Sequence, residues 1–375
     1  MTKRLRVGVV GTGVIAQVMH LHYLGELADR FEIAAVCDIV PENARACAER
    51  YRVAAAFTDW REMLRRPLDA VLVLTSGSHA PIAIAAAEAG LHVLVEKPMC
   101  FSVEEGLAMV AAAERAGVTL MVAYPKRYDP AFARFKLEAA AVTDSRLLRV
   151  TTLESPFQPY IGHYPLLAPA AVPAEVADRL RDETSASIRS AIGAADDFER
   201  RVYHQVLLDT MVHELNTIRG LLGEPDGLDY VDVRDHGLTA LLRFGDLPVA
   251  IHWIDLPGIA RYEMEFALYA SDRRVILSFP SPFLRSEPAL LAIEGGEAGT
   301  ARSWRTEETV SYESAFKREL AAFGDCIMTG SEPVTSGHDG LADIAVCQAI
   351  IESHRSGQPV DKPTSVAGRQ KAGIR

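Results

Sequence analysis

Short apolar runs alternate with segments of helical length over the first third of this 375-residue chain. Nearly continuous apolar strands that are separated by helices are typical of a parallel sheet whose two faces are covered by helices. The predicted strands are 5–10, 32–37, 70–75, 93–96 and 119–124. The predicted helices between them are 14–28, 41–50, 81–89 and 103–116. The pattern therefore predicts an α/β fold built on a doubly wound parallel sheet.

A glycine-rich turn joins the first predicted strand to the first predicted helix. It reads Gly11-Thr-Gly-Val-Ile-Ala16, and between a strand and a helix a G-x-G-x-x-A pattern indicates a Rossmann dinucleotide site. The first glycine allows the tight turn, the second lets a pyrophosphate approach the backbone, and the alanine permits close helix–strand packing. Gly11, Gly13, Val14 and Ile15 are therefore predicted to bind a dinucleotide at the helix N-terminus. The alternative is a helix start with two incidental glycines.

An aspartate at the end of the second predicted strand indicates which dinucleotide is bound. Asp38 follows Gly13 by 25 residues, which suits the acidic residue that accepts hydrogen bonds from the adenosine ribose. Its charge would repel a 2′-phosphate, and the following Ile39-Val-Pro41 offers no arginine to compensate. We therefore expect NAD as the cofactor, with NADP disfavoured. Asp38 could also cap the helix that begins near Pro41, and the two roles are compatible.

Small residues after the third predicted strand mark the rim that a dinucleotide would cross. The segment reads Thr75-Ser-Gly-Ser-His79, and small side chains let a backbone approach a ligand closely. We predict cofactor contacts from Thr75, Ser76 and His79. Ser78 is well suited to the alternative role of capping the helix that follows.

The fourth predicted strand ends in Glu96-Lys97-Pro98, which is an unusual ending for a buried strand. A lysine at the carboxyl edge of such a sheet stands where the reactive ring of the cofactor would lie. Lys97 can hydrogen-bond the nicotinamide ribose and hold the oxygen on which charge develops during the reaction. Burial would lower the pKa of Lys97 and ease proton exchange. The alternative is a solvated lysine at a strand end.

The rest of the chain shows a different pattern, in which strand-like runs are joined by short turns. The runs are 238–244, 249–254, 261–270, 273–279 and 290–294, with turns at Gly245-Asp246 and Ser271-Asp272. Asp129-Pro130 marks the start of a helix. We expect an open, mostly antiparallel sheet with one long helix over 205–222. The predicted organisation is a Rossmann dinucleotide-binding domain at 1–125 and an α+β domain for substrate binding and oligomerisation at 126–375.

The segment 155–201 resists assignment to regular structure. Five prolines interrupt its first part, and the remainder is polar and is predicted to be helical. A long irregular segment in a compact chain is usually functional or mobile. A surface insertion or an oligomer contact is the alternative.

The predicted long helix carries a polar stripe on an otherwise apolar surface. Asp209 and His213 are four residues apart, so they share one face of an α-helix, and Asn216 extends that face. Histidine suits a general base near neutral pH, and the carboxylate can orient it or bind a substrate hydroxyl. A surface ion pair is the alternative. We expect neither a metal site nor a serine hydrolase, because no metal-ligand spacing and no G-x-S-x-G turn occurs.

Composition and charge argue against several other classes of protein. Thirty-nine basic and fifty acidic side chains give a net charge of −11 without a basic stripe, so nucleic acid is not an expected partner. No apolar run approaches the roughly 20 residues of a membrane span. The five cysteines are scattered, which favours reduced thiols over a disulfide frame or a zinc site. Because the N-terminal residues lack a signal peptide's apolar stretch, we expect a cytoplasmic protein.

Three of these motifs together resemble the hallmarks of the Gfo/Idh/MocA oxidoreductases, the group that includes glucose–fructose oxidoreductase and inositol dehydrogenases. They are the glycine-rich turn, Glu96-Lys97-Pro98 and Asp209-Thr-Met-Val-His213. Lys126-Arg-Tyr-Asp-Pro130 also resembles the family's R-R-F-x-P segment. The similarity extends from about residue 5 to 340. The chain departs from the family at Tyr124-Pro125, where members often carry an asparagine, and at 202–206, where many carry glycines.

The resemblance implies an active site between the two halves of the chain, with Lys97, Asp209 and His213 as the catalytic set. His213 would take the proton from a secondary hydroxyl while hydride moves to the nicotinamide. Lys97 would hold the reacting oxygen, and Asp209 would position the substrate or the histidine. The resemblance also implies cofactor contacts from Glu96, Lys97 and Arg127, and assembly into a homo-dimer or homo-tetramer.

The predicted activity is an NAD(P)-dependent oxidoreductase that acts on a secondary alcohol of a sugar, polyol or cyclitol. Candidate substrate contacts, for each of which surface packing is the alternative, are Tyr160, His163, Tyr203 and His204. Two other functions stay open. One is a redox-neutral elimination or glycoside cleavage with tightly held NAD, and the other is a non-catalytic sensor of a dinucleotide and a sugar-like ligand.

Overall fold

A six-stranded parallel sheet forms the first part of the computed structural model, which describes residues 4–168 and 170–366. The strands are β1 (Leu5–Val10), β2 (Phe31–Cys37), β3 (Ala56–Phe57), β4 (Ala70–Val73), β5 (His92–Val95) and β6 (Leu120–Val122). Their order is β3-β2-β1-β4-β5-β6, so the direction of winding reverses between β1 and β4. The predicted doubly wound parallel sheet is confirmed, and each of the predicted strands is present.

Helices connect these strands close to the predicted positions. They are α1, made of the π-helical Ala16–His20 and the α-helical Leu21–Glu26, then α2 (Pro41–Tyr51), α3 (Trp60–Leu64), α4 (Ala80–Glu88) and α5 (Val103–Ala116). The four predicted helices lie within two residues of these bounds. The sequence missed β3 and α3, because two and five residues leave too little periodicity to detect.

The second part of the chain forms a nine-stranded sheet in the order β14-β13-β12-β11-β7-β10-β9-β8-β15. Its strands are β7 (Leu147–Glu154), β8 (Gly227–Arg234), β9 (Gly237–Phe244), β10 (Leu247–Asp255), β11 (Glu263–Tyr269), β12 (Arg273–Phe279), β13 (Leu290–Gly296), β14 (Ser303–Thr309) and β15 (Val360–Asp361). β7 and β10 pair in parallel, and the other neighbours pair antiparallel. The predicted open, mostly antiparallel sheet is confirmed.

The prediction of one long helix in this part is wrong. The helices are α6 (Pro130–Ala140), α7 (Gln158–Ile161), α8 (Ala174–Ile192), α9 (Asp197–Arg201), α10 (π-helical Val202–Met211 and α-helical Val212–Leu222), α11 (Ala315–Thr329) and α12 (Gly337–Ser356). Of these, α8 has 19 residues and α12 has 20. α12 is buried around most of its circumference, so its sequence lacks the one-sided apolar stripe of a surface helix. Asp129 caps α6 as expected, since its carboxylate accepts a hydrogen bond from Ala131 N at 2.8 Å.

Helix α12 connects the two sheets through a shared core. Its buried Ile344 belongs to the same apolar cluster as Val93 of the first sheet and Phe266 of the second. Just before α12, the Thr335 carbonyl accepts a hydrogen bond from Val122 N at 2.8 Å, along the outer edge of β6. The domain boundary at 125–126 stays a prediction. Among the described residues, we find no helix long and apolar enough to cross a membrane.

The segment 155–201 is helical over much of its length. The short α7 is followed by an irregular stretch up to the start of α8, and Pro169 in that stretch lies outside the described residues. The predicted helical character of the later part is confirmed by α8 and α9. Ile188 and Ile192 anchor the end of α8 in the core. The segment therefore packs against the rest of the molecule instead of extending from it.

Candidate active site

The glycine-rich turn has the shape that a phosphate requires. Gly11 has a φ of +93°, and a Cβ there would stand 2.7 Å from the carbonyl oxygen of Leu74, so only glycine fits. No described atom lies within 4 Å of the position that a Cβ on Gly13 would take. Val14 is exposed and Ile15 half-buried beside it. The turn therefore leaves open space at its second glycine, where a pyrophosphate would approach the backbone.

Asp38 fixes this turn from the end of β2. Its Oδ2 accepts hydrogen bonds from Thr12 N at 3.0 Å and from Thr12 Oγ1 at 2.6 Å. Its Oδ1 accepts from Val40 N at 3.0 Å, just before α2 begins. Since a carboxylate has about four acceptor positions, Oδ1 retains one for a ribose hydroxyl. Asp38 thus orders the glycine-rich turn and the start of α2, and still fits the predicted contact with an adenosine ribose.

His79 holds two loops of the nucleotide edge together. Its Nδ1 lies 2.7 Å from the Pro98 carbonyl oxygen, and its Nε2 lies 2.7 Å from the Thr75 carbonyl oxygen. The ring is buried, so its nitrogens face protein and leave none for a cofactor. Thr75 is half-buried and Ser76 is exposed at the same rim. The geometry therefore favours Thr75 and Ser76 over His79 as groups that a dinucleotide could reach.

Lys97 connects the nucleotide sheet to α10. Its ammonium donates to the Asp209 carbonyl oxygen at 2.5 Å and to Asp209 Oδ1 at 3.0 Å. Burial disfavours the charged ammonium, but the carboxylates of Asp209 and Glu96 outweigh burial and raise the pKa of Lys97. The prediction of a lowered pKa is therefore wrong, because the charges of these two carboxylates outweigh the effect of burial. Lys97 is therefore protonated near neutral pH.

Glu96 contacts α1 of the nucleotide-binding half and accepts a hydrogen bond from the backbone of Lys97. Its Oε1 lies 2.7 Å from His20 Nε2 of α1, and its Oε2 accepts a hydrogen bond from Lys97 N at 3.0 Å. Burial alone would raise the pKa of Glu96, but the hydrogen bond and charge of His20 lower it overall. Both oxygens of the carboxylate are thus engaged by protein groups. Its predicted contact with the cofactor stays a prediction, and these partners favour a positioning role.

His213 lies where α10 changes from π-helical to α-helical. Its Nδ1 is buried and has no hydrogen-bond partner within the described part of the chain, and its ring meets that of Tyr124 edge-on at 6.1 Å between centroids. Burial, followed by the positive charges of Lys126 and Lys97, lowers the pKa of His213 well below its usual range. The imidazole is therefore neutral near pH 7 and able to accept a proton.

A buried lysine and glutamate beside His213 were not among the predicted site residues. Lys126 is 6% exposed, and burial lowers its pKa to about 8. Glu214 is fully buried, and burial raises its pKa to about 7 although the Thr152 hydroxyl donates to its Oε1. Its Oε2 has no partner among the residues described. Burial also raises the pKa of Glu154 at the end of β7. These groups form a cluster of titratable side chains whose charges act on one another and on Lys97.

The sequence contained a weak signal for this cluster. Lys126 begins the segment that resembles R-R-F-x-P, and Glu214 follows His213 directly. The predicted residue was instead Arg127, whose Nη1 donates to the Asn216 carbonyl oxygen at 3.1 Å and to its Oδ1 at 3.2 Å. Asn216 in turn donates to Asp339 Oδ2 at 2.6 Å. Arg127 and Asn216 therefore belong to a buried network between α10 and α12, and the polar stripe of α10 reaches the site only with Asp209 and His213.

Of the four candidate substrate residues, Tyr203 and His204 both contact Phe101, whereas Tyr160 and His163 have other partners. Tyr160 accepts a hydrogen bond from Tyr262 N at 2.6 Å. Tyr203 is fully buried, and its hydroxyl donates to the Phe101 carbonyl oxygen at 2.6 Å. His204 packs edge-on against the Phe101 ring. His163 lines a surface cavity of about 760 Å³ whose lining includes none of Lys97, Asp209 and His213. The structure thus does not bring the four together, and their proposed contact with substrate remains a prediction.

The nucleotide-binding part of the chain matches a known family. Residues 5–124 match the Gfo/Idh/MocA family model, which is described as an oxidoreductase family with an NAD-binding Rossmann fold. Over these residues the chain is similar to the Gfo/Idh/MocA oxidoreductases. The predicted resemblance is thereby confirmed, as is the predicted NAD-binding Rossmann fold of this part of the chain. The open space at Gly13 and the placement of Asp38 are consistent with NAD in this fold.

Several characterised relatives resemble the chain over nearly its whole length. Myo-inositol 2-dehydrogenase of Thermotoga maritima is 24% identical over 93% of this chain and 96% of the relative. The scyllo-inositol 2-dehydrogenase (NAD(+)) of Bacillus subtilis is 24% identical over 96% and 97%, respectively. Among solved structures, levoglucosan dehydrogenase in complex with NADH and levoglucosan superposes with a TM-score of 0.75 at 20% identity, covering 97% of this chain and all of that one. At this identity the structural likeness shows the shared fold.

Proposed function

We propose that this Gfo/Idh/MocA protein is an NAD-dependent dehydrogenase that moves a hydride between a secondary alcohol of a sugar, polyol or cyclitol and the nicotinamide. The single observation that carries the proposal is the bond between Lys97 and Asp209 beside the neutral His213. This contact joins the carboxyl edge of the six-stranded parallel sheet to helix α10 in the second part of the chain. A charged hydrogen-bond donor and an uncharged base therefore stand together where a hydroxyl group could be oxidised.

The proposed division of labour follows from the surroundings of each group. Because Nδ1 of His213 is enclosed, Nε2 is the nitrogen through which His213 would accept the hydroxyl proton. Lys97, which is protonated near neutral pH, would donate a hydrogen bond to the reacting oxygen and stabilise the negative charge that develops there. Asp209 has a side chain that is 67% exposed, so it can position Lys97 and still accept a bond from a substrate hydroxyl. The chemistry that the bound dinucleotide supplies is the uptake or return of hydride.

The cluster around Lys126 supports a substrate rich in hydroxyl groups. Lys126 is a donor of adjustable charge, and the carboxyl groups of Glu154 and Glu214 have raised pKa values. Groups of this kind can act as donors or acceptors toward several hydroxyls of one ring. The names of the inositol dehydrogenases among the relatives agree with such a substrate. The departure from the family at Tyr124 and Pro125 means that no particular sugar or inositol is carried over.

We also propose a cytoplasmic homo-dimer or homo-tetramer. The half-buried or exposed Leu153, Leu241, Ile254 and Ile276 alternate along their strands with residues of the core, so they lie on the outer face of the nine-stranded sheet. A second copy of the chain would cover this apolar surface. Measuring the molecular mass in solution tests this assembly, and a monomer at micromolar concentration would contradict it.

The proposed activity is tested by incubating the purified protein with NAD and a panel of polyols, cyclitols and aldoses. Formation of NADH, followed by absorbance, together with the matching ketone is the expected result. Conversion of substrate without net NADH would instead support the redox-neutral alternative, in which the dinucleotide is reduced and reoxidised within one cycle. Binding of these compounds without any conversion would favour a sensor and contradict the proposal.

A further inference from the structure

Helix α8 is attached at its N-terminal side to the helices that follow β1 and β2. The backbone N–H of Leu167 donates to Gln17 Oε1 of α1 at 2.8 Å. The backbone N–H of Ala170 donates to Asn43 Oδ1 of α2 at 2.9 Å. Asn43 lies in the first turn of α2, shortly after Asp38, which places the chain entering α8 next to the predicted ribose site.

The C-terminal part of α8 lies on the opposite side of the same edge. Thr184 Oγ1 comes within 4.0 Å of the position that a Cβ on Gly77 would take, at the turn after β4. The Ser187 hydroxyl donates to Glu105 Oε1 at 2.9 Å, and the Ser78 hydroxyl donates to Glu105 Oε2 at 3.0 Å. Helix α8 is thus attached to the loop after β4 and to the start of α5.

Between these attachments, α8 spans the carboxyl edge of the Rossmann sheet. The helical residues between them, from Ala174 to Ser187, extend for about 20 Å at 1.5 Å per residue. The chain just before α8 contacts the helix after β2, and the later half of α8 contacts the turn after β4, while β1 lies between those two strands in the sheet. In doubly wound sheets, the crevice at the point where the strand order reverses is where a dinucleotide crosses. The helix therefore passes over the part of the crevice next to Asp38.

One face of α8 is apolar along most of the helix, but the rest of the protein covers only the C-terminal part of that face. Ile188 and Ile192 are buried, whereas Val176, Ala177 and Leu180 on the same stripe are only half-buried. These residues are three or four positions apart, so they form one face of the helix. The exposed opposite face is polar, with Arg179, Arg181, Asp182 and Glu183. Thr184, which approaches Gly77 at the turn after β4, is four residues after Leu180, so this stripe faces the edge of the sheet.

We propose that α8 forms a roof over the adenosine half of bound NAD. Val176, Ala177 and Leu180 contact the adenine ring, and the dinucleotide leaves only when α8 lifts from the edge of the sheet. The proposal rests on the proposed function only in that the protein binds NAD, and it does not depend on the substrate. Its consequence is slow exchange of the cofactor, so that one dinucleotide molecule remains bound through successive reactions.

The test compares the dissociation of NADH with that of reduced nicotinamide mononucleotide, which lacks the adenosine half. Each is displaced from the protein by excess NAD in a stopped-flow instrument, and the fluorescence of the reduced nicotinamide is followed. In Leu180→Asp, the charge under the roof should accelerate NADH release about tenfold or more, while release of the mononucleotide stays unchanged. Ala186→Asp, which places the same charge at an exposed position of α8, should behave as the unmodified protein.

Leu180→Ala supplies the same comparison with a milder change, in case the aspartate prevents folding. It should increase NADH release about threefold through the loss of apolar contact. Equal acceleration of NADH and mononucleotide, or no acceleration of NADH by either variant, would overturn the roof while leaving the dehydrogenase proposal intact. Failure of the unmodified protein to bind NADH at all would overturn both. The thermal stability of each variant, measured without nucleotide, separates loss of contact from loss of fold.

Discussion

Two lysines stand near His213, and their surroundings are opposite. Lys97 bonds to Asp209, whose carboxylate is largely exposed, and its pKa is raised. Lys126 is buried beside Glu214, which is itself fully buried, and its pKa is lowered to about 8. The difference shows that the two amines are not equivalent donors, although both charges act on the same imidazole. Lys97 stays charged beside a carboxylate that is in contact with water. Lys126 lies near a buried carboxyl group and is itself buried, so it can gain or lose its charge near neutral pH.

This contrast assigns different chemistry to the two sides of the site. A lysine that stabilises negative charge in every cycle must stay protonated, which suits Lys97. Lys126, with a pKa of about 8, can gain or lose its proton near neutral pH, and the pKa of its buried neighbour Glu214 is about 7. The charge of each group shifts the pKa of the other, so loss of one changes the protonation of its neighbour. Substitutions that remove one charge at a time separate these roles.

The largest effect is expected for Lys97→Met, which keeps the length of the side chain and removes its charge. The catalytic rate should fall by about 10³-fold, because the developing charge on the substrate oxygen loses its stabilising donor. The melting temperature should change little, since the Asp209 carboxylate released from the pair is already largely in water. Lys317→Met is the matched control, as Lys317 forms a surface pair with Glu26 at 3.0 Å. An active Lys97→Met enzyme would rule out the proposed mechanism.

An intermediate effect is expected for Lys126→Met. At neutral pH, kcat/KM should fall about tenfold through loss of a charged hydrogen bond to the substrate. Because the positive charge of Lys126 lowers the pKa of His213, its removal should raise that pKa and move the acid limb of the kcat/KM profile to higher pH. Burial, the larger cause, remains, so the pKa should stay below its usual value. A profile that falls in height without moving along the pH axis would assign Lys126 a purely structural role.

The smallest effect concerns stability and is expected for Glu214→Gln. The folded-state pKa of Glu214 is raised from 4.5 to about 7, so the folded protein binds the proton more tightly than the unfolded chain. Its stabilising contribution is therefore present below about pH 4.5 and is lost as the pH rises through 7. From pH 5 to pH 7, the free energy of unfolding of the variant should gain about 1–2 kcal/mol relative to the unmodified protein. Denaturant unfolding at both pH values measures this, and a difference that is independent of pH would contradict the assignment.

Much of the nucleotide-binding half could be predicted because its signals are local. Each predicted strand and helix lies within one short stretch of sequence, and the glycine-rich turn and Asp38 stand next to the elements that use them. β3 and α3 were missed because they are too short to show a period. α12 could not be recognised because it is buried on most sides, which removes the contrast between its faces.

The active site could be predicted only in part, because its properties arise from contacts between distant residues. The set of Lys97, Asp209 and His213 was inferred from motif resemblance, but the pKa of Lys97 depends on the carboxylate of Asp209, 112 residues away, which only the fold brings close. The burial of Lys126 and Glu214 near enough for their charges to interact has no counterpart in sequence spacing. The π-helical turn at Val202–Met211 also changes the geometry of the D-x-x-x-H stripe, which had been derived from α-helical spacing.

The hydrogen bond that Thr335 makes along the edge of β6 has a consequence for how the protein is synthesised. The hydroxyl of Thr335 also donates to the Val122 carbonyl oxygen at 2.7 Å, across a separation of 213 residues. When the ribosome has just synthesised β6, Thr335 has not yet been made, so the outer edge of this strand is still open to pairing with other chains. That edge is closed only when nearly the entire polypeptide has been translated. The nascent chain thus has a long interval during which edge-to-edge association competes with folding.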